Sequence, residues 1–64
     1  MIYWTTETDF NYDKERWSTR LLYSFNQVNY HSIANMLHAD KQVPDDVLEY
    51  FERKKLEFQN QLKQ

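Results

Sequence analysis

The chain has 64 residues, no cysteine, no glycine and a formal net charge of -2. Without cysteine there is no disulfide or thiolate metal site, and without glycine no Gly-rich phosphate loop and no GxSxG nucleophile elbow. One small domain is all this length supports, and a near-neutral domain carries no charge bias toward nucleic acid or membrane.

The N-terminus lacks a basic region followed by an apolar run, so no signal peptide is expected. Residues 1–12 alternate: Ile2, Trp4, Thr6, Thr8, Phe10 and Tyr12 share one parity, and Tyr3, Thr5, Glu7, Asp9 and Asn11 the other. Period two with Thr, Tyr and Trp is a strand signal. A single strand is not stable alone, and the rest of the chain reads as helical. The expectation for 1–11 is therefore an extended arm. Trp4 would pack on the helices, or the arm would pair with a second copy or with the sheet edge of a target. Tyr3 and Trp4 are its candidate contact residues.

From Tyr12 to Gln27 the spacing of Trp17, Leu21, Phe25 and Val28 predicts a first helix with a core face, capped by Asn11 or Asp13. Its opposite face would carry Arg16, Arg20, Tyr23 and Gln27 as a basic-aromatic stripe. Such a stripe suits an acidic partner through charge-assisted hydrogen bonds and stacking. Asn26 to Asn29 reads as a turn, with Asn accepting positive φ where glycine is missing. A short second helix over 30–39 would turn Tyr30, Ile33, Ala34 and Leu37 inward and His31, Asn35 and His38 outward. Leu21 to Ala39 contains no Asp, Glu, Lys or Arg, yet its Asn, Gln and His are too polar for a membrane core.

The C-terminal helix, 44–62, has the strongest pattern. Pro44 suits a helix start, Asp45 and Asp46 oppose the positive end of the helix dipole, and Glu49 completes a capping-box spacing with Asp46. Lys63 supplies a positive charge near the other end. Val47, Leu48, Phe51, Phe58 and Leu62 recur at helical spacing, with Lys55 interrupting and its alkyl stem available to cover apolar surface. Glu49 and Arg53 form a favourable i,i+4 pair. The expected core joins Phe51 and Phe58 to Trp17, Leu21 and Leu37. The expected fold is all-α: a three-helix domain with an extended N-terminal arm.

No catalytic constellation emerges. Ser32 beside His31 is adjacency in sequence, and Asp45 and Asp46 are explained by capping. His31 and His38 are too far apart on a helix to share a metal, so no metal or cofactor is expected. Aromatic residues make up 17% of the chain, more than a small core readily hides, and Tyr and Trp are favoured at interfaces. The expectation is a non-catalytic cytoplasmic module that binds a protein partner, with a role as regulator or inhibitor suggested by its size alone and homodimerisation a further expectation. Stand-alone domains of this size commonly play such roles, phage-encoded ones among them. The alternative is a small helix–turn–helix-like DNA-binding regulator, formed by 30–39 and the C-terminal helix. Against it, Pro44, Asp45 and Asp46 would place carboxylates where phosphates must approach.

Overall fold

The computed structural model describes residues 1–62. Three strands come first: β1 (Tyr3–Asn11), β2 (Arg16–Ser24) and β3 (His31–His38). One helix, α1 (Asp45–Leu62), follows. The strands form one antiparallel sheet in the order β1-β2-β3, so the chain is a meander with β2 at its centre.

The all-α expectation is overturned. Residues 12–27 and 30–39 are not helices, and the chain is no three-helix domain. The N-terminal stretch is no arm either, because β2 pairs with β1 from Tyr3↔Ser24 to Asn11↔Arg16. The physical reason lies in β2. Trp17, Leu21 and Phe25 fit a helical spacing, but Trp17, Thr19, Leu21 and Tyr23 fit period two equally well. Their aromatic and β-branched side chains favour a pleated surface. Once β2 is extended, β1 gains the partner it lacked, and β3 closes the other side.

The turns do without glycine. At the β1–β2 turn the Asn11 side chain accepts a hydrogen bond from the Lys14 amide, and Glu15 takes the left-handed conformation at φ 54°. In the β2–β3 loop Gln27 does so at φ 61°. The positive φ thus falls on Glu and Gln, where Asn was expected. Asn26 serves instead through its side chain.

Register assigns the faces, since directly paired residues share one. Trp4, Tyr23 and His31 lie on one face, followed by Thr6, Leu21 and Ala34, then by Thr8, Thr19 and Met36, then by Phe10, Trp17 and His38. The helix covers this face: Val47 and Phe51 are buried in one cluster with Leu21 and Ala34. At Leu21/Leu22 the β2–β3 register shifts, leaving Ile33 as an extra residue on β3, where it packs against the same cluster. The other face bears no element. It shows Glu7, Arg20 and Asn35 in one row and Asp9, Ser18 and Leu37 in the next.

Pro44 stands just before the helix, and its carbonyl accepts from the Val47 and Leu48 amides at 3.2 Å. Asp45 and Asp46 occupy the first turn. The helix pairs its charges as Lys54–Glu57 and Lys55–Glu52, at 3.5 and 3.0 Å, and not through Glu49 and Arg53. Lys55 lies with its ammonium 5.9 Å from the centre of the Trp4 ring, so its stem covers sheet while its charge meets an aromatic face. Leu48 and Leu62 remain exposed, and Lys63 lies outside the described residues.

Of the expected core, Phe51 and Leu21 are buried. Phe58 sits half-buried against Trp4 and Tyr23, and Trp17 packs instead with Phe10 at the far end of the sheet. Leu37 is exposed on the bare face, and Phe25 and Val28 are exposed in the loop. Phe51 is the largest side chain in a very small buried cluster. Phe51→Ala is therefore expected to cost about 3–5 kcal/mol, close to the whole stability of so small a domain. Urea denaturation of the variant beside the unsubstituted chain reads this directly, and a loss below about 1 kcal/mol would refute the burial.

Candidate functional site: the loop end of the sheet

The expected basic-aromatic stripe required a helix. On a strand its residues separate. Arg20 lies on the bare face, ion-paired to Glu7 and 3.8 Å from Asp9. Arg16 is exposed at the opposite end of β2 from the β2–β3 loop, about 26 Å away at strand rise. Tyr23 faces the helix side, and Gln27 lies in the loop. Tyr3 pairs with Ser24 on the bare face, at the root of the loop, whereas Trp4 pairs with Tyr23 on the helix side.

What the fold brings together is the end of the molecule where β2 turns into β3. Tyr23 is the hub of an aromatic group. Its ring centre lies 4.4 Å from Phe58, 5.4 Å from His31, 5.7 Å from Phe25 and 6.2 Å from Trp4. Trp4 meets Phe58 edge-on at 5.7 Å. Such tilted and edge-to-face pairs lock ring orientation beyond what area burial alone supplies.

Beyond this base the loop is built from side-chain hydrogen bonds. Ser24, fully buried, accepts from the Asn26 and Gln27 amides at 3.2 and 2.9 Å, and its hydroxyl donates to the Asn26 side-chain oxygen at 3.0 Å. That same oxygen accepts from the Val28 and Asn29 amides at 2.9 and 3.0 Å. Loop amides normally left to water are thereby satisfied within the loop. On this fixed frame the side chains point outward: Phe25 is 57% exposed, Val28 76% and Tyr30 41%. No charged residue lies between Leu21 and Ala39, so nothing in the loop repels an apolar surface.

Phe25, Val28 and Tyr30 were expected in the core of a helical fold. Their true place had a signal: a charge-free segment whose centre, Asn26-Gln27-Val28-Asn29, is turn-rich and flanked by alternating residues.

A second polar arrangement lies under the other end of the helix face. His38 Nδ1 is 2.6 Å from the Asp40 carbonyl oxygen, which only accepts, so Nδ1 carries the proton there. In the neutral imidazole Nε2 then accepts from the Thr19 hydroxyl at 2.6 Å, and the Thr19 oxygen from Thr8 at 2.9 Å. The order resembles a base, an orienting group and a hydroxyl, but Thr19 is fully buried and His38 nearly so. No substrate atom reaches Thr19 in this arrangement. Its evident work is to satisfy polar groups inside the sheet–helix layer, and no buried side-chain polar atom lacks a partner among the described residues.

No group of three or more His, Cys, Asp or Glu side chains among the described residues is placed to hold a metal ion. Two open depressions, of about 230 and 260 Å³, lie along Ile33 and Phe58 and beside Val43 and Pro44. Both fall below the size of ordinary small-molecule sites. No described helix is long and apolar enough to cross a membrane. Among the described residues there is a single helix, and so no helix pair for a helix–turn–helix. Comparison with known proteins finds no matching family model, no matching curated sequence and no matching solved structure.

The hydrogen-bond chain through Thr19 has a sharp energetic signature. Thr19→Val keeps the shape but strands both His38 Nε2 and Thr8, and is expected to cost about 1–3 kcal/mol. Thr8→Val removes only the half-exposed end of the chain and should cost less than half as much. Equal losses in denaturation experiments would show that the chain is not wired in this order.

Proposed function

We propose that this chain is a non-catalytic protein-binding module, a regulator or inhibitor that works by covering part of a partner's surface in the cytoplasm. The observation that carries this reading is the β2–β3 loop: exposed Phe25, Val28 and Tyr30 on a backbone held by Ser24 and Asn26. Aromatic and branched side chains already fixed in place lose little conformational freedom on docking, which is how a small surface gains affinity. The absence of charged residues from Leu21 to Ala39, which includes the whole loop, favours an apolar cleft on the partner.

The proposed surface takes Gln27, Tyr23 and Trp4 from the sequence reading and adds Phe25, Val28 and Tyr30, with Tyr3 at its rim. Arg16 and Arg20 stay outside it. Arg16 lies at the far end of β2, and Arg20 is engaged by Glu7 and Asp9. A chain without cysteine has no need of an oxidising compartment, which is compatible with the cytoplasmic setting.

The test is a variant that strips the loop and keeps the sheet. Phe25→Ser, Val28→Ser and Tyr30→Ser together remove exposed groups, so the melting temperature should fall by only a few degrees. Proteins retained from the native host by the immobilised chain are identified by mass spectrometry, and the affinity of the chief one is measured with purified components. Affinity is expected to fall at least about thirtyfold, the loss of one strong anchor or more. A folded triple variant with undiminished affinity would remove the loop from the binding surface.

A further inference from the structure

The sheet has two free edges, and they differ in one respect. The β1 edge carries Glu7 and Asp9, both exposed on the bare face. The β3 edge, His31-Ser32-Ile33-Ala34-Asn35-Met36-Leu37-His38, carries no Asp, Glu, Lys or Arg at all. Charges on an edge strand are the usual guard against pairing with another strand, and β3 lacks them. Its bulge at Ile33 interrupts only the beginning of the strand and leaves Ala34 to His38 regular.

We propose that two copies of this chain pair antiparallel through β3, joining their sheets into one six-stranded sheet around a two-fold axis. The occupant of the edge is argued from charge and register. An axis near Met36 sets Asn35 beside Leu37 of the second copy and Ala34 beside its His38, and no like charges meet. The same operation on β1, centred on Glu7, would set carboxylate against carboxylate, which is destabilising. Along the flank of β3 the helix contributes Lys54 and Glu57, paired with each other at 3.5 Å beside Ile33. These two charges offset one another there. Leu37, exposed on the bare face, gains cover from Asn35 of the other copy. A two-fold contact of this kind closes on itself, so it ends at the dimer. This pairing does not depend on the loop surface proposed above, which lies beyond the regular part of β3.

Sedimentation equilibrium of the full chain across about 1 to 500 µM tests it, since dimerisation is a mass-action equilibrium. The weight-average mass is expected to rise from one chain to two and to stop there. Asn35→Lys sets two ammonium groups close together across the axis and is expected to weaken dimerisation at least tenfold (about 1.4 kcal/mol). Thr5→Lys, at an exposed position of the β1 strand, should leave it unchanged. Far-UV circular dichroism and melting verify that each variant folds, and Leu37→Lys replaces Asn35→Lys if the latter melts early. A one-chain mass at every concentration overturns the proposal. So does growth beyond two chains, a dimer indifferent to both β3 substitutions, or one broken by Thr5→Lys.

Discussion

The packing of Val47 and Phe51 on Leu21 and Ala34 is the contact on which the rest of this structure depends. A three-stranded meander has one face to bury, and this chain has one helix with which to bury it. The pairing of β2 with both neighbours sets Leu21 at the centre of the sheet, and α1 supplies the opposing apolar stripe. Outside this contact Leu22, Thr19, Ser24 and His38 are also buried, and most of the remaining side chains are left to water or to another molecule. The bare face accordingly holds Glu7, Asp9, Arg20 and Asn35, while the ends of the helix face hold aromatic groups that only partly hide one another.

That division leaves the partly exposed aromatic groups at the margins of the sheet. At one end, Phe10, Tyr12 and Trp17 stack in edge-on contacts with the Lys41 ammonium 6.0 Å from the Trp17 ring centre. At the other, Tyr23 and its neighbours form the base from which the β2–β3 loop rises. The two ends differ in charge. Asp9, Asp13, Lys14, Glu15, Asp40 and Lys41 fall in or near the first, whereas the loop at the second falls in the charge-free segment from Leu21 to Ala39. An apolar loop whose amides are satisfied by Ser24 and Asn26 keeps its shape in water and presents side chains without first having to order them.

The helix α1 was legible in the sequence because several independent signals agreed over 44–62: Pro44, two carboxylates and an apolar stripe that kept one period. The alternation of residues 1–12 is a strand signal, but with β2 read as helical it had no partner, so the expectation was an arm where the structure has a paired strand. The reading of β2 failed because Trp17, Leu21 and Phe25 satisfy two periods at once, and nothing local chooses between them. The choice is made by tertiary pairing: β2 as a strand satisfies the backbone of β1 and β3 together, a gain invisible in any one segment. The error then spread. A helical β2 left β1 without a partner, sent Phe25 and Val28 into a core that does not exist and gathered Arg16, Arg20, Tyr23 and Gln27 onto one face. Tyr23, Gln27 and Trp4 stood out by residue type on a helical stripe and an arm that do not exist, and the loop near which they lie was missed because it depends on β2 ending at Ser24. The absence of charge from Leu21 to Ala39 is plain in the sequence, but it takes in a loop at one end of the molecule only when that segment is folded into a hairpin.

The account turns on Leu21 lying in the central strand between β1 and β3, beneath the helix. Nuclear Overhauser contacts in the isotopically labelled full chain measure this without assuming any function. Leu21 is expected to show contacts to Thr6 on one side, to Ala34 on the other and to Phe51 above, with strong sequential Hα–HN contacts through Arg16 to Ser24. Medium-range Hα–HN(i+3) contacts running through 16–27, with no Leu21 contact to Thr6 or Ala34, would mean that β2 is a helix and would contradict the fold, the loop and both surfaces argued from them.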